Sequence, residues 1–368
     1  MHTVLNSIAT ANPSHKRSQA DLATFMARIE GVPAAVRDRI GVLYSRSGID
    51  YRYSCLSDYG AEAEDFEFYP KNWALAPVPT TGDRNQIYKT CALDLAEQAA
   101  QQALWQADLV AGDITHLIAV SCTGFFAPGL DIHLVQRLGL PDTTDRTLIG
   151  FMGCNAAFNG LKVAHAFCQA NAQAKVLLVC VELCSLHFQV ADTLEKVIVN
   201  AIFSDGAAAV VLSARADAAG QLVYIDSASK IAENSLDAMT WDIGDTGFLM
   251  QLSPQVPSLI QQTLPAYLEP FLERHHLTQQ SLDFWAVHPG GRQILDQVKA
   301  GLALTEDALS ESYGVLRRHG NMSSPTILFI LKRMMDHPPP QNAVHTGIAL
   351  GFGPGLSIEG ALFQRFAP

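Results

Sequence analysis

The sequence predicts an α/β protein built from two similar halves, on three observations. Short apolar runs rich in Val, Ile and Ala alternate with longer helix-like segments, the pattern of strands that helices bury on both faces. A strand followed by a small-residue turn and a helix occurs once in each half, with the same spacing. With 368 residues and 48% apolar content, the chain can fill two sizeable cores, which excludes a disordered protein.

The elements follow in chain order. Ser18 and Asp21 resemble a capping box that opens a helix at Gln19. Ile87 to Ala107 reads as a helix and HLIAVSC (116–122) as a buried strand. Ala156 to Ala170 is helical, and KVLLVCVEL (175–183) and AAAVVLSA (207–214) are buried strands. The polar stretch ARADAAGQ (214–221) divides the chain into halves of residues 1–214 and 215–368. In the second half, FWAVH (284–288) and HTGIALGFG (345–353) are strands and Pro325 to Met335 is a helix.

The repeat is specific. A strand ends near Ser121 and FMGCNAAFNGLKVA leads into a helix; a strand ends at His288 and HGNMSSPTILFIL again turns into one. Ser121 and Cys154 are 33 residues apart, as are His288 and Asn321. Two such units facing each other across a pseudo-twofold axis bring the turns at Cys154 and Asn321 to one central place.

Composition excludes several classes of function. A formal charge of −11 without a basic cluster argues against a nucleic-acid partner. Polar residues and Pro13 near the start leave no signal peptide, and no apolar run reaches the roughly 20 residues of a membrane span, so a cytoplasmic protein without stable membrane association is expected. Seven cysteines without a CxxC pair read as free thiols. Cys180, Cys184 and His187 lie close in sequence, but no second ligand pair follows, so buried small side chains are preferred to a metal site and no metal is expected.

Three residues carry chemistry. Cys154, between Gly153 and Asn155-Ala156-Ala157, stands at the start of a helix whose positive end favours a thiolate. His288 ends an apolar strand and is followed by Pro289-Gly290-Gly291, so its ring points into loop-lined space. Asn321 lies at a helix entry, between Gly320 and Met322-Ser323-Ser324. Each has a plain alternative: a packed thiol, a satisfied histidine and an N-cap.

Together with GFGPG at 351–355, these segments form a pattern. GFMGC, VHPGGRQILD, HGNMSSPTILFIL and LGFGPGLSIEG resemble, in order and spacing, the signature regions of chalcone and stilbene synthases and their bacterial type III polyketide synthase relatives. FSDGAAAVVL (203–212) and SCTGFFAPGLD (121–131) resemble two further family segments, so the likeness spans nearly the whole chain. It implies a thiolase-like fold with pseudo-twofold-related halves in a layered αβαβα arrangement. It also implies an acyltransferase that loads an acyl-CoA starter on Cys154 and extends it by decarboxylative condensation of malonyl-CoA, before the chain cyclises in the same cavity.

The family roles transfer position by position. Cys154 is the nucleophile, His288 its ion-pair partner and later a hydrogen-bond donor, and Asn321 the second donor to the malonyl thioester carbonyl. Phe203 and Phe248 match the phenylalanines between the coenzyme A tunnel and the cavity; their plain reading is as core aromatics. Cys122, Thr123, Cys184, His187, Val199, Met239, Ser323, Gly353 and Pro354 fall at cavity or substrate positions. Arg39 and Arg46 match cations that contact coenzyme A phosphates, whereas a third such position is Val42. Coenzyme A thioesters are substrates here, and no cofactor is expected.

The family likeness further implies a homodimer, with Phe125-Phe126-Ala127-Pro128 as an apolar contact segment. Ala127 stands where plant enzymes carry a methionine that crosses the dimer, and MTWDIGDTGF is closer to bacterial members. Small side chains at Ala127, Cys122 and Cys184 predict room for a fatty acyl starter and an alkyl-pyrone or resorcinol-type product. The alternatives are a synthase using malonyl-CoA alone to make tetrahydroxynaphthalene, a chalcone-type enzyme, an initiating ketoacyl-carrier-protein synthase and a non-catalytic acyl-CoA-binding protein. A thiolase would need a later cysteine than Cys184, and only 13 residues follow Gly355, too few for a dinucleotide-binding βαβ unit.

Overall fold

The computed structural model describes residues 1–337 and 344–366. The first half runs through β1 (His2–Ala11), β2 (His15–Ser18), α1 (Gln19–Arg28), α2 (Ala34–Arg46), β3 (Tyr51–Ser54) and α3 (Thr81–Gln106). It continues through β4 (His116–Ser121), α4 (Leu130–Leu138), β5 (Asp145–Gly150), α5 (Ala156–Ala170), β6 (Lys175–Leu183), α6 (Leu194–Ile202) and β7 (Asp205–Arg215). The second half holds β8 (Leu222–Ile231), the hairpin β9 (Met239–Gly244) and β10 (Gly247–Leu252), α7 (Val256–Glu273), β11 (Phe284–Val287) and α8 (Arg292–Gly301). After these come α9 (Ser310–His319), α10 (Thr326–Asp336), β12 (His345–Gly353) and β13 (Ser357–Arg365).

Nine strands form one sheet in the order β11-β12-β13-β8-β1-β7-β6-β4-β5. Its two wings repeat one topology. In the first, β4 pairs parallel with β6, β6 antiparallel with β7, and β7 antiparallel with β1. In the second, β11, β12, β13 and β8 repeat those three relations in that order. The wings join where β1 and β8 pair antiparallel over Thr3–Tyr224, Val4–Val223 and Leu5–Leu222. The expected pseudo-twofold axis therefore runs between β1 and β8, and β5 is an extra edge strand of the first wing.

Strand alternation builds the layers. On β6, Val176, Leu178 and Cys180 face the core shared with α5 and α10, whereas Leu177, Val179 and Val181 face the core built on α3. On the second wing, Ala286 and Ala349 face α5 and α10, while Val287, Ile348 and Leu350 face α7 and α8. The result is the αβαβα layering, with α5 and α10 as the filling. Their sequences fit that place. Ile327 to Leu331 of α10 are all buried, as expected of a helix covered on every side.

Local signals hold with adjustments. Ser18 caps α1 by accepting from Asp21 N–H at 3.1 Å, but the Asp21 carboxylate takes the Ser18 hydroxyl rather than its backbone N–H, so only half the capping box forms. The reciprocal box is Thr80 with Asp83, which opens α3 at Thr81, ahead of the expected Ile87. His288 and Cys122 each lie one residue beyond their strands, β11 and β4.

Candidate active site

Cys154 occupies a 3-10 turn, Gly153–Asn155, that runs directly into α5. Gly153 adopts φ +80°, and a Cβ there would lie 2.4 Å from Pro354 Cδ, so the close approach of the GFGPG turn requires glycine. Asn155 Nδ2 donates to Ser357 Oγ at 2.8 Å and fastens the same two turns. The Cys154 thiol is 6% exposed. Burial pushes it up to about 11, against contacts with Ser323 and Asn321 that favour the thiolate.

Asn321 precedes α10 by five residues and is no N-cap. It is bridged to Phe203: its backbone N–H donates to Ile202 O at 2.8 Å and its carbonyl accepts from Ser204 N–H at 2.9 Å. Its Oδ1 accepts from Ser323 N–H at 2.8 Å, which leaves the amide NH2 facing Cys154, with Nδ2 3.9 Å from Sγ. The orientation of the amide thus follows from its acceptor being occupied.

His288 is anchored by its backbone N–H to Leu350 O at 2.8 Å, and its ring is fully buried. Neither ring nitrogen has a hydrogen-bond partner among the described residues. Burial pushes its pKa down to about 3. The expected thiolate–imidazolium pair is therefore not made in this conformation; both neutral forms are favoured by the same desolvation. An unsatisfied imidazole in a core costs free energy, on the order of 1–3 kcal/mol, and such a group calls for a functional explanation.

A cavity of about 230 Å³ opens beside the thiol. Cys122, Thr123, Cys154 and Cys184 line it, with Ser323 and Pro354. Phe203, Phe248, His187, Val199 and Met239 complete the expected wall. His288, Asn321 and Gly353 do not line it. Gly353 instead packs against Asn155, where a Cβ would lie 2.5 Å from Oδ1, so its part is close packing against the turn that carries Cys154. The same cavity also reaches Leu22, Met26, Tyr59 and Phe188, none of which the sequence pointed to.

His187 has both ring nitrogens engaged. Nδ1 accepts from Phe248 N–H at 3.0 Å, so Nε2–H donates to Thr123 O at 2.7 Å. Its ring stacks on Phe248 with centroids 4.2 Å apart, and burial pushes its pKa down to about 4. Cys180 faces the opposite, central core, so Cys180, Cys184 and His187 do not converge. Trp241 and Glu182 were missed as well. Trp241 donates its indole N–H to Cys122 O at 2.8 Å and pins the β9–β10 hairpin over the cavity. Glu182, fully buried, accepts from Cys122 N–H, Thr123 Oγ1 and Ser324 Oγ at 3.0, 2.7 and 2.7 Å. Its signal was a lone carboxylate in the apolar run KVLLVCVEL.

A second cavity of about 400 Å³ lies on the other face of α6, beside Gly290 and Gly291. Arg46 and Arg292 line it together with Leu43, Ile198 and Pro257. Arg39 is exposed on α2 and lines neither cavity. Phe125 (36% exposed) and Phe151 (37%) touch at the surface near Leu148 and Met152, also exposed, whereas Phe126 is half-buried.

Residues 2–216 match the profile of chalcone and stilbene synthases, N-terminal domain, and residues 224–367 that of the C-terminal domain. The chain is 32% identical over 365 residues to the alpha-pyrone synthesis polyketide synthase-like Pks18 of Mycobacterium tuberculosis, covering 98% of this chain and 91% of that one. It is 34% identical over 285 residues to the 1,3,6,8-tetrahydroxynaphthalene synthase of Streptomyces coelicolor, covering 77% and 75%. The crystal structure of PKS-I from the brown alga Ectocarpus siliculosus superposes with a TM-score of 0.93 at 34% identity, over 99% of this chain and 98% of that one.

Proposed function

This chain belongs to the chalcone and stilbene synthase family and is a type III polyketide synthase, and from that premise we propose that it loads a fatty acyl group from coenzyme A onto Cys154 and extends it with malonyl-CoA. Burial penalises a lone thiolate and a lone imidazolium alike, so the nucleophile forms as a coupled pair when the proton passes from Sγ to His288. Catalytic contacts that are long in a free site tighten around substrate. The thiolate displaces coenzyme A, which leaves with the proton. Malonyl-CoA then loses CO2, and the enolate oxygen receives hydrogen bonds from the His288 ring N–H and Asn321 Nδ2. A preorganised donor of this kind contributes on the order of 3 kcal/mol. The enolate carbon attacks the Cys154 thioester, forming the new carbon–carbon bond and releasing the thiolate. This chemistry has no net redox change and meets each developing charge with a side chain, so it needs neither metal nor redox cofactor.

The coenzyme A phosphates lie against Arg46 and Arg292, with Arg39 further out on the surface. The single observation that supports a fatty acyl starter is the cavity itself, whose lining includes the apolar Leu22, Met26 and Phe188 as well as Cys154. The product is then an alkyl-pyrone or resorcinol. Each methylene buried against these side chains contributes up to about 0.8 kcal/mol, so efficiency rises from acetyl to dodecanoyl starters. Mass spectrometry of products from that starter series tests it, and flat or falling efficiency overturns the fatty acyl assignment. The crowding of His187, Trp241 and Phe248 beside Cys122 favours a second reading, in which malonyl-CoA alone is used. That reading predicts the same product from every incubation.

The exposed Phe125 and Phe151, with the edge strand β5, support a homodimer interface. Seven free cysteines suit the reducing cytoplasm, where we place the enzyme. Among the described residues no helix is long and apolar enough to cross a membrane.

A further inference from the structure

We propose that Arg52 is a positioning residue for the condensation, fixing Asn321 through the C-terminal end of α6. The inference rests on the reading above that Asn321 donates to the enolate. Arg52 stands on β3 at the cavity wall and is 8% exposed, yet among the described residues its guanidinium contacts no carboxylate; its Nε and Nη1 are engaged by amide oxygens alone, and Nη2 has no hydrogen-bond partner there. A buried guanidinium without a counter-ion is costly. What offsets the cost here is the end of a helix. Nη1 donates to Asn200 O and Phe203 O, both at 2.7 Å, where the peptide dipoles of α6 present their negative end.

The neighbouring contacts complete the arrangement. Arg52 Nε donates to Gln19 Oε1 at 2.9 Å, and Gln19 Nε2 donates to Ala201 O at 2.6 Å. The remaining carbonyl, Ile202 O, accepts the backbone N–H of Asn321 at 2.8 Å. Four consecutive carbonyls are thus shared between Arg52, Gln19 and the backbone N–H of Asn321. Gly320 packs on the same guanidinium stem: a Cβ there would lie 3.0 Å from both Arg52 Cγ and Ile202 O. The Ile202–Phe203 segment beside Asn321 is therefore clamped from two sides, and the backbone of Asn321 is fixed by a chain of contacts that begins at Arg52, while Oδ1, held by Ser323 N–H, turns Nδ2 toward Cys154. Cys154 and His288 stand on other elements and do not share this support.

A shift of about 1 Å at a catalytic donor lowers a rate by roughly 100-fold. Lysine keeps the charge but cannot fork to two carbonyls and Gln19. Arg52→Lys should therefore lower malonyl-CoA decarboxylation and extension by roughly 100-fold in kcat. Starter loading, read as the burst of coenzyme A released without malonyl-CoA, should change by less than about threefold, as should KM for malonyl-CoA. Gln19→Met, which removes one link and no charge, should give the same split at about one tenth the size. A purely structural role would lower loading and decarboxylation together, in proportion to folded protein, and that outcome overturns the proposal. So does normal decarboxylation in both variants. Asn321→Ala is measured in parallel. If it lowers decarboxylation and Arg52→Lys does not, the Arg52 assignment alone fails; if Asn321→Ala decarboxylates normally, the underlying reading of Asn321 fails and this one with it.

Discussion

The turn entering α5 and the turn entering α10 occupy equivalent places in the two wings, yet they hold their side chains by different means. Each begins with a glycine at positive φ, Gly153 at +80° and Gly320 at +72°. Cys154 then lies on the last turn before its helix, where the peptide N–H groups favour a thiolate. Asn321 stands five residues ahead of α10 and is bound instead to the end of α6. The duplicated scaffold brings both residues to the centre, and local backbone decides whether a site stabilises charge or fixes a direction. The connections opposite differ in the same sense. β12 reaches β13 through Pro354–Leu356, whereas residues 184–204 separate β6 from β7 and supply α6 and much of the cavity wall.

The largest expected effect separates the two turns outright. Cys154→Ala should abolish extension, a loss of at least about 10⁴-fold, while malonyl-CoA decarboxylation remains measurable, because the donors at His288 and Asn321 are intact. Measurable extension by the variant would remove Cys154 from its role. Loss of decarboxylation along with extension would mean that the two turns do not act independently.

The next test asks how the first turn holds charge. Burial raises the Cys154 thiol to about 11, so without a partner its thiolate is scarce at neutral pH and grows tenfold per pH unit towards that value. Coupled to His288, the thiolate population should be nearly independent of pH between 6 and 9. His288→Gln should then slow iodoacetamide alkylation of Cys154 at pH 7 by roughly 100-fold and restore the rise with pH. Cys91, half-buried and held lower by the adjacent Cys55 thiol, serves as the reference site in peptide mapping. Equal rates in wild type and variant would show that the helix end alone, and not the histidine, activates the first turn.

Much of this was legible in the sequence, for a physical reason. Strands β4, β6, β7, β11 and β12 are buried on both faces and read as continuous apolar runs. Strands β1, β8 and β13 are not so simple. In β8 only Leu222, Val223 and Tyr224 are buried, and β13 carries Glu359, whose carboxylate takes Lys162 Nζ at 2.7 Å. In β1, Ser7 sits in the core by donating to Ala103 O. Polar residues with tertiary partners hide a strand from any one-dimensional pattern. The proposed triad stood out because short motifs carry its residues. Arg52, Glu182 and Trp241 did not, because their partners lie more than 30 residues away and their value is set by carbonyls and hydroxyls that the sequence does not announce.

The smallest effect concerns the two glycines, and it sharpens the comparison most directly. Alanine at either position must adopt a positive φ, and at Gly320, with φ +72° and ψ −164°, the conformation is one that essentially only glycine occupies; strain of this kind costs about 1–3 kcal/mol. At Gly153 the new methyl also meets Pro354 Cδ at 2.4 Å, an atom of a rigid ring in the GFGPG turn, and overpacking of this kind adds about 1–3 kcal/mol. At Gly320 the nearest atoms, Arg52 Cγ and the backbone Ile202 O, stand at 3.0 Å, so a methyl fits only if they give by a few tenths of an ångström. Urea unfolding should therefore show Gly153→Ala losing about 2–6 kcal/mol and Gly320→Ala about 1–3. Function should divide the other way in kind. Gly320→Ala pushes on the clamp that aims Asn321, so its decarboxylation rate should fall further than its stability explains, while Gly153→Ala should chiefly slow alkylation and loading of Cys154. If the two variants lose stability equally, or if both impair the same step, the two turns share one support and the distinction between charge-holding and direction-holding wings is wrong.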